Sequence, residues 1–257
     1  MIYKEIDNKK KKWIVLIHCV CGNEKIFNNQ ISLLNKYYNV AIIRLAGHEI
    51  DSEIYEATFD YVVQELHNFV LNKRSKIDVL SVSLGAMIAT KYISIYPNDV
   101  NNVYLIGNIY GFSLPILKVG YLTLTRINKL LPRRIYMYFI TKLILPGKKQ
   151  HFQRKKLYKY SLKMKAEFLY SWMREMGYFI LEGKKYFDVT LSNKSNINLI
   201  YGENDNMFLK WVEKNIKGGD KSILHVVKGA GHLCNMDNPS IINTIIKEDN
   251  YETIGYN

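Results

Sequence analysis

The chain has 257 residues, which suits one or two domains, and one α/β domain with an insertion fits well; 48% hydrophobic and 23% charged residues describe a soluble globular protein. That balance excludes a disordered or fibrous chain, and no uninterrupted apolar run reaches the ~18 residues of a membrane span. The net charge of +13 is unevenly placed: residues 111–187 hold 17 Lys/Arg against 3 Asp/Glu, and the remainder holds 19 against 20.

The opening stretch "MIYKEIDNKKKKWIVLIHC" has an apolar run of only about six residues and no small-residue cleavage site. It is expected as a lysine-rich turn followed by a strand, not as a signal peptide. "WIVLIH" (13–18) is continuous in apolar residues, as in a strand buried on both faces of a parallel sheet. A Cys/Gly/Asn loop follows, then helical spacing in "EKIFNNQISLLNKYY" and a second buried strand in "NVAIIRLAGH" (39–48). "TFDYVVQELHNFVLNKR" has the pattern of an amphipathic helix. "KIDVLSV" predicts a strand, "LGAMIATKYISIYP" a helix stopped at Pro97, and "NVYLIGN" (102–108) another strand. After the basic stretch, strand "NINLIYG" (196–202), helix "MFLKWVEKNIKG", strand "SILHVV" (222–227) and helix "PSIINTIIKED" restore the alternation. The expected fold class is therefore α/β, a mostly parallel central sheet with helices on both faces. Residues 1–110 and 188–257 form its core. Residues 111–187, rich in Tyr, Phe, Lys and Arg, are expected as a helical cap inserted in that core.

Residues 76–92, "KIDVLSVSLGAMIATKY", pass from strand to helix through Ser81-Val82-Ser83-Leu84-Gly85. This nearly spells G-x-S-x-G, the sharp turn that exposes a nucleophilic serine at the start of a helix. Taken alone it fits an ordinary turn serine equally well. A nucleophilic serine needs a base, and the base needs an acid to orient it. "YGENDNMF" places Asp205 just after the strand at 196–202, and "VKGAGHLCNMDNP" places His232 just after the strand at 222–227. Loops that follow parallel strands gather at one sheet edge, where ligands bind. Asp205 has a competing reading as a helix cap, and Asp188 and Asp237 are weaker rivals for the acid. Backbone N–H groups of Leu84, after the serine, and Val20, in the loop "IHCVCGN", are candidate oxyanion donors.

These stretches together resemble the α/β-hydrolase superfamily, in particular its capped, single-domain esterase- and thioesterase-like branch. "LIHCVCGN" looks like that family's H-G-x-x-G oxyanion loop, "RLAGHEIDS" like its G-H-G-x-S turn, and "SVSLGA" like its elbow. "LIYGENDNMF" and "KGAGHLCNMDNP" look like its acid and histidine loops. The resemblance covers the chain apart from the cap. It implies Ser83 as nucleophile, Asp205 as acid, His232 as base, and Val20 with Leu84 as the oxyanion hole. Three residues depart from the family pattern: Cys19, Ser81 and Glu49 each stand where glycine is usual. Some members carry the acid after the strand "NVYLIG", where this chain has Asn108.

The resemblance implies hydrolysis of a carboxylic ester or thioester through an acyl-enzyme, with no cofactor. Acyl transfer, lyase chemistry and a ligand-holding role with little turnover are the alternatives on the same scaffold. The cap's apolar patches suit an acyl group, and its basic clusters suit an anionic substrate, a membrane surface or an acyl carrier. Nucleic acid is not an expected partner. His18 and His48 are read as loop-shaping. Cys19, Cys21 and Cys234 lie beside the site loops, but Cys-x-Cys is not a usual zinc spacing, and no metal is expected. Three cysteines are also too few for a disulfide framework, so a reducing cytoplasm is the expected compartment.

Overall fold

The computed structural model describes residues 3–48, 56–109, 114–192, 196–206, 208–216 and 223–252. Glu49, Met207 and residues 110–113 and 217–222 lie outside the described residues, with the expectations attached to them. Within those limits seven strands form one sheet. They are β1 (Tyr3–Ile6), β2 (Lys12–Ile17), β3 (Tyr38–Ile43), β4 (Ile77–Val82), β5 (Val100–Ile106), β6 (Asn196–Gly202) and β7 (Leu224–Val227). Their order is β1-β3-β2-β4-β5-β6-β7, all parallel except the β1–β3 pair.

Every residue of β3 and β4 is buried, as are Ile14–Ile17 of β2, which is why these strands read as unbroken apolar runs. The edge strand β1 was not evident in the sequence. It has four residues, two of them exposed, and it holds its place by an antiparallel ladder to β3. The segment 24–38 is helical in two pieces, a 3₁₀ turn (Glu24–Phe27) and α1 (Asn28–Tyr37), before Tyr38 opens β3. α2 (Phe59–Lys73) starts at Thr58, whose side chain accepts from the Tyr61 N–H as an N-cap does. α3 (Leu84–Ile95) follows β4 directly.

From β2 the chain winds to β3 on one side and then to β4 on the other. The carboxyl ends of β2 and β4 therefore flank a topological switch point, where open α/β sheets leave a crevice for ligands. The loop 18–22 and the Ser83 elbow both stand at that crevice.

All the regular structure described between β5 and β6 is helical. α4 (Leu114–Leu122) runs through a π turn (Thr123–Ile127) into α5 (Asn128–Leu130). α6 (Arg133–Ile144), α7 (His151–Lys163) and α8 (Ala166–Leu191) follow. α8 runs on to Leu191, with Ile180, Gly183, Phe187 and Thr190 continuing one buried stripe at helical spacing. This helix is tied to the sheet-bearing part of the chain at three points. The Trp172 Nε1–H donates to the Ala46 carbonyl (2.9 Å), Glu175 accepts from the Phe59 N–H (2.9 Å), and the Thr190 hydroxyl donates to the Thr90 carbonyl (3.1 Å). After β6 come α9 (Leu209–Asn215), the short α10 (Cys234–Asp237) and α11 (Pro239–Glu252). No described helix is long and apolar enough to cross a membrane.

Candidate active site

Ser83 sits between β4 and α3 with φ 55° and ψ −111°, a conformation that a non-glycine residue adopts only when its surroundings impose it. Two contacts impose it. The Ser83 N–H donates to the Ile106 carbonyl of β5 (2.8 Å), and the first turn of α3 presses against β2. Gly85 makes that approach possible, because a Cβ there would collide with the Ile17 carbonyl oxygen. Ser81, the departure at the elbow's entry, is fully buried and donates its hydroxyl to the Tyr104 carbonyl (3.2 Å). The turn thus accepts serine because the added hydroxyl finds an acceptor in β5.

The three residues expected from separate loops meet. His232 Nδ1 donates to Asp205 Oδ2 at 2.8 Å, and Ser83 Oγ stands 3.0 Å from His232 Nε2. With Asp205 accepting at Nδ1, Nε2 is left as the acceptor for the serine hydroxyl. All three side chains are buried. The Asp205 side chain does not cap the following helix. Its backbone carbonyl instead accepts from the N–H groups of Phe208 and Leu209. The rival acids are engaged elsewhere: Asp188 pairs with Lys184, and Asp237 accepts from the Gly231 N–H (2.9 Å) and Gln153 Nε2 (2.7 Å). Asn108 is a structural residue, donating to Thr90 Oγ1 and accepting the Tyr201 hydroxyl on its carbonyl.

The histidine ring is held on both sides. Phe208 stacks on it with ring centroids 4.8 Å apart, and Gly107, at φ 63°, lies so close that a Cβ would meet His232 Cε1 at 2.7 Å. Neither contact was legible from motif spacing, although "YLIGN" does mark a glycine at the end of β5. Gln150, from the helical stretch between β5 and β6, packs against Gly231 immediately before the histidine.

Val20 lies in the loop after β2, and Leu84 begins α3. Neither backbone N–H is taken by an acceptor among the described residues, as an oxyanion donor requires. The loop is fixed by its neighbours. The Cys21 N–H donates to His48 Nε2 (2.9 Å), and His18 Nδ1 donates to the Cys19 carbonyl (2.9 Å). Burial pushes His18 down to about 4. Burial, with His18 beside it, pushes His48 down to about 3. Both are therefore neutral loop-shaping groups near neutral pH. Cys19 fits without left-handed backbone, because that conformation falls on Cys21, at φ 56°. Burial raises the Cys19 thiol to about 12 and also raises Cys21 and Cys234, so none is a ready thiolate. No group of three His, Cys, Asp or Glu side chains suited to a metal ion occurs among the described residues.

Beside this cluster lies a cavity of about 260 Å³. Val20, Ile109 and Phe208, which follow β2, β5 and β6, line it, as do Met137, Met173 and Met176 of α6 and α8. Thr123 is the one polar side chain in its described lining, and its hydroxyl is turned to the Val119 carbonyl.

No protein-family profile matches the chain, and no curated protein matches it in sequence. Solved structures do match in shape. A carboxylesterase of Nitrososphaera gargenis superposes with a TM-score of 0.71 at 17% identity, covering 96% of this chain and 92% of the other. MenH from S. aureus gives 0.70 at 18% identity, covering 96% and 97%. The 2-hydroxy-6-oxo-6-phenylhexa-2,4-dienoate hydrolase of Rhodococcus sp. strain RHA1 gives 0.70 at 13% identity, covering 94% and 91%. Sheet order, elbow and these superpositions together establish that the chain has the α/β-hydrolase fold.

Proposed function

We propose that the protein is a serine hydrolase that cleaves a carboxylic ester or thioester, with the acyl group held in the cavity under a helical cap. The observation that carries this reading is the linear Ser83–His232–Asp205 array on a strained elbow beside an apolar cavity. Ser83 Oγ attacks the acyl carbonyl carbon while His232 Nε2 takes its proton. The carbonyl oxygen becomes an oxyanion facing the Val20 and Leu84 N–H groups. The bond to the leaving oxygen or sulfur breaks, and the imidazolium gives that atom the proton. Water then attacks the acyl-serine, again deprotonated by His232, and releases the acid and free Ser83. Asp205 keeps the proton on Nδ1 and stabilises the transient imidazolium.

The cavity's chemistry favours an acyl chain over the substrate of one structural neighbour. A dienoate carries a carboxylate, and a buried carboxylate needs a cation or several donors. The described lining offers no charged side chain. An uncharged chain loses nothing there and gains about 0.8 kcal/mol per methylene removed from water. Hydrolysis of p-nitrophenyl esters of increasing acyl length, by wild type and Ser83→Ala, tests the reading. Turnover confined to wild type and rising with chain length is expected. Equal turnover by Ser83→Ala overturns it.

A further inference from the structure

We propose that the outer face of α4 and α6 docks on an anionic lipid bilayer, so that the cavity receives its acyl chain directly from the membrane. The proposal rests on the acyl reading for its substrate, and on an independent surface for its docking.

The surface has two properties that seldom occur together on a freely soluble helix pair. First, the apolar surface of α6 is not confined to its buried residues. Tyr136 and Met137 are buried, while Ile135, Phe139 and Leu143, each four residues apart, are exposed. Phe139 is 61% exposed, and Leu130, just before α6, is 79% exposed. A helix with water on its outer face normally keeps that face polar. Second, the charge around these side chains is of one sign. No Asp or Glu occurs anywhere from Val100 to Ala166. Lys118, Arg126, Lys129, Arg134 and Lys142 are all exposed there. Apolar side chains flanked by cations are the combination that inserts into the headgroup region of an anionic leaflet.

The cavity gives this face a purpose. Ile116, Val119 and Leu143 line the cavity and are also exposed, Val119 at 64% and Leu143 at 57%. The mouth of the acyl site is therefore rimmed by the same apolar side chains that face outward. A chain leaving a bilayer through that rim stays in apolar surroundings as far as Val20 and Phe208, the latter stacked on His232. The absence of a membrane-crossing helix among the described residues leaves peripheral attachment as the mode this surface supports.

Co-sedimentation of the full chain with vesicles tests the proposal, comparing phosphatidylcholine alone with phosphatidylcholine mixed with phosphatidylglycerol. Wild type is expected to bind the anionic vesicles, to bind neutral ones more weakly, and to be released in part by salt. Leu130→Glu combined with Phe139→Glu should lower partitioning more than tenfold, and Arg126→Ala and Lys129→Ala about fivefold each. Hydrolysis of a short water-soluble ester should stay unchanged in all of them, since none touches the cavity or triad. Ser83→Ala should bind vesicles like wild type; turnover retained in that variant, or absent from wild type, with binding intact sinks the hydrolase reading alone. Wild type that leaves anionic vesicles unbound at low salt overturns the docking proposal. So does vesicle binding unchanged by the four substitutions. A dimer dispersed by Leu130→Glu with Phe139→Glu, or retention on an acidic acyl-carrier protein, in either case without vesicle binding, assigns the face to another partner and overturns it too.

Discussion

Ser81 and Tyr104 are joined across the β4–β5 pair by a hydroxyl-to-carbonyl hydrogen bond of 3.2 Å, at the first position of the elbow, two residues before Ser83. The bond explains how serine occupies a position where the fold usually has glycine. It is buried and sits behind the turn, away from the cavity. Ser81→Gly should therefore cost about 1 kcal/mol for the lost bond and up to ~1 more for backbone freedom. Thermal melting should fall by a few degrees. Activity on a short ester should stay within about threefold of wild type. A gain of tenfold or more would show that Ser81 distorts the elbow.

Asp237 ties the histidine loop to the helical stretch between β5 and β6. Its carboxylate accepts from the Gly231 N–H and Gln153 Nε2, and Gln150 packs on the same glycine. Asp237 touches no reacting atom in the proposed mechanism and acts as a positioning residue. Asp237→Ala should lower kcat about tenfold or more while leaving KM nearly unchanged, because His232 loses its fixed orientation. Steady-state kinetics with thermal melting separates this from simple unfolding. A proportional loss of folded protein and activity, with kcat per folded molecule unchanged, would make the residue merely structural.

Gly120 lines the cavity, and a Cβ there would meet only Ile180, at 3.6 Å and beyond. A Cβ is thus accommodated there, and a side chain extending beyond it takes space from the substrate. In wild type, kcat/KM should rise about fourfold per added methylene until the cavity is full. Gly120→Leu should move that optimum to shorter acyl chains without lowering the melting temperature. An unchanged chain-length profile would place the acyl group elsewhere.

His18 and His48 are buried as neutral rings 4.8 Å apart, with protonation pushed down to about 4 and about 3. In the unfolded chain each binds its proton near pH 6.5. Between those values the unfolded state holds protons that the native state does not. Stability is therefore full above about pH 6.5 and falls as pH drops toward 4, by up to ~1.4 kcal/mol per pH unit for each ring. His18→Asn should flatten this slope whatever it does to stability at pH 7. Urea unfolding across that range measures it, and an unchanged slope would contradict the assignment.

The strands of the sheet's centre and the three residues of the Ser83 cluster were legible because each is a local pattern. β2, β3 and β4 are buried on both faces and so read as continuous apolar runs. Ser83, Asp205 and His232 each follow a strand, and a parallel sheet carries such positions to one edge. What was not legible depends on contacts distant in sequence. β1 has too few buried residues to stand out without β3 beside it. Gln153 reaches Asp237 across 84 positions, and nothing in "KGAGHLCNMDNP" announces a partner in α7. The stacking of Phe208 on His232 and the outward apolar face of α6 likewise follow from packing, not from period alone. The end of α8 was not legible, because its buried stripe continues past 187 without a stop signal.

The central claim is that Ser83 is a nucleophile activated by His232. Labelling with a fluorophosphonate probe, followed by mass analysis of the modified peptide, tests it most directly. The account predicts one adduct on Ser83, absent in Ser83→Ala and reduced at least a hundredfold in rate in His232→Ala, as loss of a general base implies. An adduct on another residue, or labelling undiminished in either variant, would contradict it.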